Sequence, residues 1–333
     1  MSVLQKLSAS KRLMNKLKVY YDDLRASSSP GLPKSKTLFL LQGIANYALY
    51  GTSFSEFAAY GFYHKPREEK MTYMTRRHMF RFFDQYDPKE LRDRIGNKAM
   101  ADQYYGQFLK REQFRCSDGR DAFLRFAQKH PRVFIKKAVG WGGEGARIED
   151  VSTQEKMDAV LTSLSDDYVV EPVIENCPEL KAIHPDSLNT IKVVTLYLEN
   201  GPEIQTALIR FGNNTVVDNV HSGGMGAGVN IETGIIETDA VDKHFCRYAV
   251  HPVTNMPIKG VVIPEWEAVK QLAIRAASVT PELRYSSWDI AVTPGGPIMI
   301  EGNWDAEFYA EQMLYNRGHR TLFTNKLEGK VND

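Results

Sequence analysis

The chain has 333 residues, enough for two domains or for one domain with subdomains. Its hydrophobic fraction of 43% and charged fraction of 25% are those of an ordinary globular protein, and a formal net charge of +1 gives no electrostatic footing for nucleic acid. The three cysteines, Cys116, Cys177 and Cys246, are too far apart for a zinc spacing or a disulfide framework, so a reducing, cytoplasmic setting is expected.

Residues 1–6 lack the uninterrupted apolar core of a signal peptide. Residues 1–25 read as a helix, because Val3, Leu7, Ser10, Met14, Leu17, Tyr21 and Leu24 recur in steps of four and three. Lys6, Lys11, Arg12, Lys16 and Lys18 sit off that stripe. Such a helix docks on its own domain, forms a homodimer contact, or attaches to an acidic membrane surface. A loop follows at 27–33. Residues 36–130 are mainly helical and dense in aromatics, a pattern of packing core. Their most apolar stretch, 38–50, is interrupted by Gln42, Gly43 and Asn46 and is too short to span a bilayer.

From Val133 the texture turns to short β-type runs: 133–139, 146–151, 168–174, 190–198, 204–211, 215–220, 234–237 and 260–263. Pro264 opens a helix through residue 277. Strands at 286–293 and 297–301 flank Pro294-Gly295-Gly296, and helical sequence from 306 to 323 closes the chain. No internal repeat is visible. The fold class is α+β.

Gly140-Trp141-Gly142-Gly143-Glu144-Gly145 contains GxGxxG after a strand, but an alternating strand follows it where a dinucleotide fold would start a helix. The unit is therefore a flap. It is a plain flexible hairpin, or a loop whose backbone N–H groups approach phosphate oxygens, with Lys136 on the incoming strand. The chain has no HRD, DFG or GxxxxGK[ST] string, which excludes a protein kinase or Walker loop.

Glu301 and Asn303 lie two apart on one strand and so share a face. The Pro294–Pro297 turn folds the preceding strand back, which places Asp289 within about one residue of opposite Glu301. Two carboxylates and an amide suit Mg²⁺, or Mn²⁺. The other reading is a solvated acidic hairpin. Ile298, Met299, Ile300 and Trp304 weigh against it, because carboxylates among them are costly without a cation.

Taken in order, Lys98 after Gly96-Asn97, Lys136 before the glycine flap, the stretch from Val169 to Ile174, and Asp289 with Glu301 and Asn303 resemble the ATP-grasp superfamily. The runs His184-Pro185-Asp186-Ser187-Leu188-Asn189-Thr190-Ile191-Lys192 and Val217-Asp218-Asn219-Val220-His221-Ser222-Gly223-Gly224 resemble, more narrowly, its sugar-transfer-associated family.

The resemblance implies an ATP-grasp fold: a helical region at 1–94, a small subdomain with the flap at 95–174, and a large subdomain with the metal hairpin at 175–333. It also implies roles. Lys98, Lys136, Gly142 and Gly143 would meet ATP phosphates. Glu171 and Val173 would hold adenine, and Glu179, in preference to Glu175, the ribose. Lys192 and Arg210 would face the transferring phosphate, and Arg210 the later oxyanion. His221 would orient the acceptor or take its proton, or it is simply a loop histidine. The implied activity is an ATP- and Mg²⁺-dependent carboxylate–amine ligase acting through an acyl phosphate on small molecules, in sugar or polysaccharide modification or on a peptide-like metabolite. A phosphotransferase and a non-catalytic ATP-binding protein are the alternatives.

Overall fold

Alternation of apolar and polar residues builds two antiparallel sheets in the computed structural model, which describes residues 3–96, 98–138, 145–165, 168–304 and 308–329; the side chains of 3–11, 13, 98–100 and 102 also lie outside the description. The larger sheet takes four strands from its longest hairpins. Of these, β5 (Thr190–Leu198) pairs β6 (Gly201–Phe211), and β10 (Tyr285–Thr293) pairs both β5 and β11 (Gly296–Asn303). With β7 (Met225–Val229), β8 (Ala240–Asp242) and β9 (Arg247–Tyr248) the order is β11-β10-β5-β6-β7-β8-β9.

Period two divides the chemistry of this sheet between its faces. Ile191, Val193, Ala207, Ile209, Trp288, Ile290 and Val292 share one core with Val269, Leu272, Ala273 and Ala276 of the helix Trp266–Ala277. Each large aliphatic side chain buried there contributes about 1.5–3 kcal/mol. The interleaved residues include Lys192, Leu208, Arg210 and Asp289, and these line a cleft.

The smaller sheet comprises β1 (Phe114–Arg115), β2 (Arg132–Lys137), β3 (Arg147–Asp150) and β4 (Tyr168–Pro172), in the order β1-β4-β2-β3. The same parity holds. Val133 and Ile135 join Phe114, Phe123, Phe126 and Val170 in a core, while Phe134 and Lys136 line the cleft.

Helices before residue 95 share their cores with the large sheet. Leu17, Tyr21, Phe39, Phe57, Tyr60 and Tyr73 cluster with Leu208, Val241, Met313 and Leu314. Met74, Phe82 and Phe83 cluster with Val194, Leu196, Tyr285 and Phe308. The buried half of the first helix, Val3–Ala26, thus docks on its own chain. No helix among the described residues is long and apolar enough to cross a membrane.

Several expected elements differ. Residues 215–220 form no strand. Asp218 instead accepts from Thr190 N at 3.1 Å and from its hydroxyl, and the chain doubles back so tightly that any side chain at Gly224 would overlap the Asp218 carbonyl. Runs 234–237 and 260–263 reduce to isolated bridges, because Gly234 and Gly260 at positive φ turn the chain out of a ladder. The helix expected from Pro264 begins at Trp266, after Glu265 at φ 51°. The closing helix is two helices, Tyr309–Tyr315 and Arg320–Leu327, parted by Asn316 at φ 49°. The strands β1, β8 and β9 are too short to leave a periodic signal.

Candidate active site

The two sheets face each other across a cavity of about 1460 Å³. Residues from both walls line it: Phe134, Lys136, Glu171 and Val173 from the small sheet and its exit, and Lys192, Arg210, Asp289, Glu301 and Asn303 from the large one.

On the large-sheet wall, Asp289 sits directly opposite Glu301, and Trp288 opposite Gly302. A register shift follows between Asp289 and Ile290, leaving one extra residue on β11. Gly302 permits this pairing, since a Cβ there would stand 2.8 Å from the Trp288 ring. The Trp288 indole is itself fixed by donating to Thr195 Oγ1 at 2.9 Å. Asn303 Nδ2 reaches Glu301 Oε1 at 3.4 Å. Asp289 is buried, and its Oδ1 has no hydrogen-bond partner. Burial pushes its carboxyl up to about 6, with Arg210 opposing that rise and Glu301 adding to it.

Arg210 is the counterion. Its Nη2 donates to Asp289 Oδ2 at 2.7 Å and to Thr190 Oγ1 at 2.8 Å, with Asp218 Oδ2 3.7 Å from its Nε. Burial works against the guanidinium charge, but Asp289 and Asp218 outweigh it and push its pKa further up. Lys192 lies 3.3 Å from Glu311 Oε1, whose partner oxygen Oε2 is buried without a hydrogen bond. The start of β5, which carries Thr190 and Lys192, is held by a buried amide network. Asn189 Nδ2 donates to the carbonyls of Leu180 at 2.7 Å and His184 at 3.0 Å, and its backbone N–H donates to Asn176 Oδ1 at 2.7 Å.

On the opposite wall, Glu171 is buried and fully engaged. Lys136 Nζ reaches its Oε2 at 2.8 Å, while Arg111 Nη2 and Gln113 Nε2 donate to Oε1 at 3.0 and 2.8 Å. Burial alone would raise its pKa, but Lys136 and Arg111 overrule that and hold it at about 2. Folding therefore gains from this carboxylate at all pH above its ordinary range, and that gain is lost as pH falls toward 2.

The remaining expected residues divide. His221 lines the cavity from the turn Val220–Ser222, with its ring 5.8 Å from that of Tyr309. Val173 and Ile174 line it just past β4. Glu179 stands outside the cavity, exposed on the helix Pro178–Lys181; Glu175 lines the cavity instead and pairs with Lys181 at 2.8 Å. Gly142 and Gly143 lie outside the described residues, as does the Lys98 side chain, although Gly96, Ala101 and Tyr105 around it line the cavity. Arg111, Gln113 and Glu311 carry no motif signal, and Asp218 lies in the 217–224 run without a role assigned from it; a cation just ahead of β1 is the only hint of Arg111.

The donor set fits Mg²⁺ or Mn²⁺. Asp289, Glu301 and Asn303 offer oxygen alone, and the orphaned Asp289 Oδ1 needs a positive partner. Among the described residues there is no group of three or more His, Cys, Asp or Glu that could hold a metal ion, so the candidate set consists of two carboxylates and an amide.

The model of the sugar-transfer associated ATP-grasp family matches residues 81–328. Among solved structures, the chain is similar to the ATP-grasp ligase PsnB complexed with minimal precursor, at 13% identity, a TM-score of 0.45, and coverage of 76% of this chain and 66% of that one. It is similar to the VanG D-Ala:D-Ser ligase from Enterococcus faecalis at 12% identity, a TM-score of 0.44, and coverage of 71% and 61%. It is also similar to N5-carboxyaminoimidazole synthase from Aspergillus clavatus in complex with ADP and 5-aminoimidazole ribonucleotide, at 8% identity, a TM-score of 0.46, and coverage of 78% and 59%. The chain spans less than two thirds of each of these structures. No curated protein matches.

Proposed function

This chain belongs to the sugar-transfer associated ATP-grasp family and has an ATP-grasp fold, and we propose that it is an ATP- and Mg²⁺-dependent ligase that activates a carboxylate as an acyl phosphate for attack by an amine. The reaction would serve sugar, polysaccharide or small peptide-like metabolite synthesis. The observation that carries this reading is the convergence, in one cleft, of Lys136, Lys192 and Arg210 with the oxygen-only set Asp289, Glu301 and Asn303.

Each residue has a physical task. Asp289, Glu301 and Asn303 would hold Mg²⁺, which when bound neutralises charge on the β- and γ-phosphates. Lys136 would contact the phosphates from the small-sheet wall, and Lys192 from the large-sheet wall. Arg210, released from Asp289 as that carboxylate takes the metal, would turn to the transferring phosphate and then to the oxyanion formed on amine attack. Val173 and Ile174 would meet adenine through their backbone, and Glu175 the ribose. Lys98, Gly142 and Gly143 would close on the phosphates. His221, whose ring lies 5.8 Å from that of Tyr309 on the cavity wall, would face the acceptor.

The test uses the full chain with ATP, Mg²⁺, a panel of carboxylic acids and hydroxylamine. ADP together with a hydroxamate is the expected product. ADP with a stable phosphoester, or tight ATP binding without turnover on any acid, overturns the ligase reading.

A further inference from the structure

Arg111 joins the two walls of the cleft. Its Nη1 donates to the Met299 carbonyl at 2.7 Å, and its Nη2 to the Ile300 carbonyl at 2.8 Å and to Glu171 Oε1 at 3.0 Å. Met299 and Ile300 belong to β11, the strand that carries Glu301. The guanidinium is buried, so solvent offers it no exchange of partners. A planar fork serves these three acceptors at once, which a single ammonium cannot match.

Glu171 therefore has two cations of different character. Arg111 is anchored on backbone carbonyls. Lys136 is a flexible ammonium on the cleft face of β2, held at 2.8 Å. For Lys136 to contact a phosphate it must leave Glu171. Were it the only cation there, its departure would strand a buried carboxylate without a counterion, which a buried charge resists strongly. Arg111 and Gln113 remain on the other carboxylate oxygen and remove that cost.

We propose that Arg111 is a positioning residue for nucleotide binding: it holds Glu171 from the β11 side and thereby frees Lys136 to transfer to the phosphates. This rests on the reading of Lys136 as a phosphate ligand. It adds a residue that contacts no ligand itself, and it makes the adenine-side wall and the metal hairpin one mechanical unit.

The test measures the dissociation constant of ADP, with Mg²⁺ present, by titration calorimetry on the full chain. Circular dichroism checks the fold of each variant. Lys136→Met and Arg111→Met should each weaken ADP about tenfold. Adding Glu171→Gln to Arg111→Met should recover most of that loss, because no carboxylate then retains Lys136. A purely structural staple between Arg111 and the β11 carbonyls predicts no recovery, and that result overturns the proposal. Unchanged affinity in Arg111→Met overturns it alone. Unchanged affinity in Lys136→Met overturns the Lys136 reading and this proposal with it. If Arg111→Met does not fold, Arg111→Lys enters the same cycle. Weakening that Glu171→Gln relieves supports the proposal, and weakening that it leaves in place overturns it.

Discussion

Two buried carboxylates face the same cleft and have opposite fates. Glu171 receives Lys136, Arg111 and Gln113, and stays ionised far below the usual carboxylate range. Asp289 receives Arg210 on one oxygen, keeps the other without a partner, faces Glu301, and is pushed up to about 6. Both are almost completely buried, so burial does not separate them. The number and sign of the neighbours do. Glu171 is a satisfied strut between walls. Asp289 is short of positive charge, and a divalent cation is the partner that its surroundings of oxygen donors suit.

The largest effect should break this contrast at its reactive end. Glu301→Gln should lower acceptor-dependent ADP release by about 10³-fold or more, by analogy with loss of one preorganised electrostatic group. A quantitative ADP assay reads this, and wild-type turnover in that variant would end the metal assignment.

The second effect concerns stability. Glu171→Ala leaves two buried cations facing each other and should cost about 3–5 kcal/mol in urea unfolding. Asp289→Asn removes a carboxylate with one orphaned oxygen and leaves Arg210 the second carboxylate Asp218, so in chelator-treated protein it should cost less. Equal losses in the two variants would show that pairing does not distinguish the sites.

A third carboxylate sharpens the rule. Asp87 is buried and accepts from the backbone N–H groups of Arg284 at 2.6 Å and Tyr285 at 3.3 Å, yet its other oxygen is unpartnered. Burial pushes it up to about 7 against those bonds and Arg92. An acid raised on folding keeps its proton in the folded state while the unfolded chain loses it. Stability from this group therefore falls as pH rises from about 4 to 7 and is flat above, by on the order of 4 kcal/mol in all. Asp87→Asn should flatten that slope, and its advantage in thermal unfolding should grow from pH 4 to pH 7. A constant difference across that range would refute the shift.

The smallest effect lies at the rim. Glu175 and Lys181 are exposed partners, so Glu175→Ala should change stability by less than about 1 kcal/mol. If Glu175 meets the ribose, the same variant should raise the ATP KM severalfold. Glu179→Ala, outside the cavity, should leave KM alone. The reverse ranking in initial-rate kinetics would restore Glu179 as the ribose acid.

Much of this was legible because it is local. The strand 190–198 was read with its observed ends, and the strand preceding the glycine run to within two residues. Glu301 and Asn303 share a face by strand parity alone. The Asp289 register was readable to one residue, and the β11 irregularity sets it at zero. The apparent strand at 215–220 misled because its β-branched residues mimic a ladder segment, whereas Asp218 is drawn to Thr190 from outside the segment.

By itself, then, the sequence determined which residue types alternate onto which face, where turns interrupt them, and that the oxygen-bearing side chains of Asp289, Glu301 and Asn303 share one hairpin. Periodicity and turn chemistry act over a few residues, so a linear string records them. Tertiary structure alone decided that Arg111 would bridge Glu171 and β11, that Lys192 would lie beside Glu311, and that Glu175 would face the cavity in place of Glu179. Those partners are 60, 188 and 119 positions apart in the first two cases. Long charged side chains find each other only after sheets and helices have packed, and no spacing in the chain encodes that meeting.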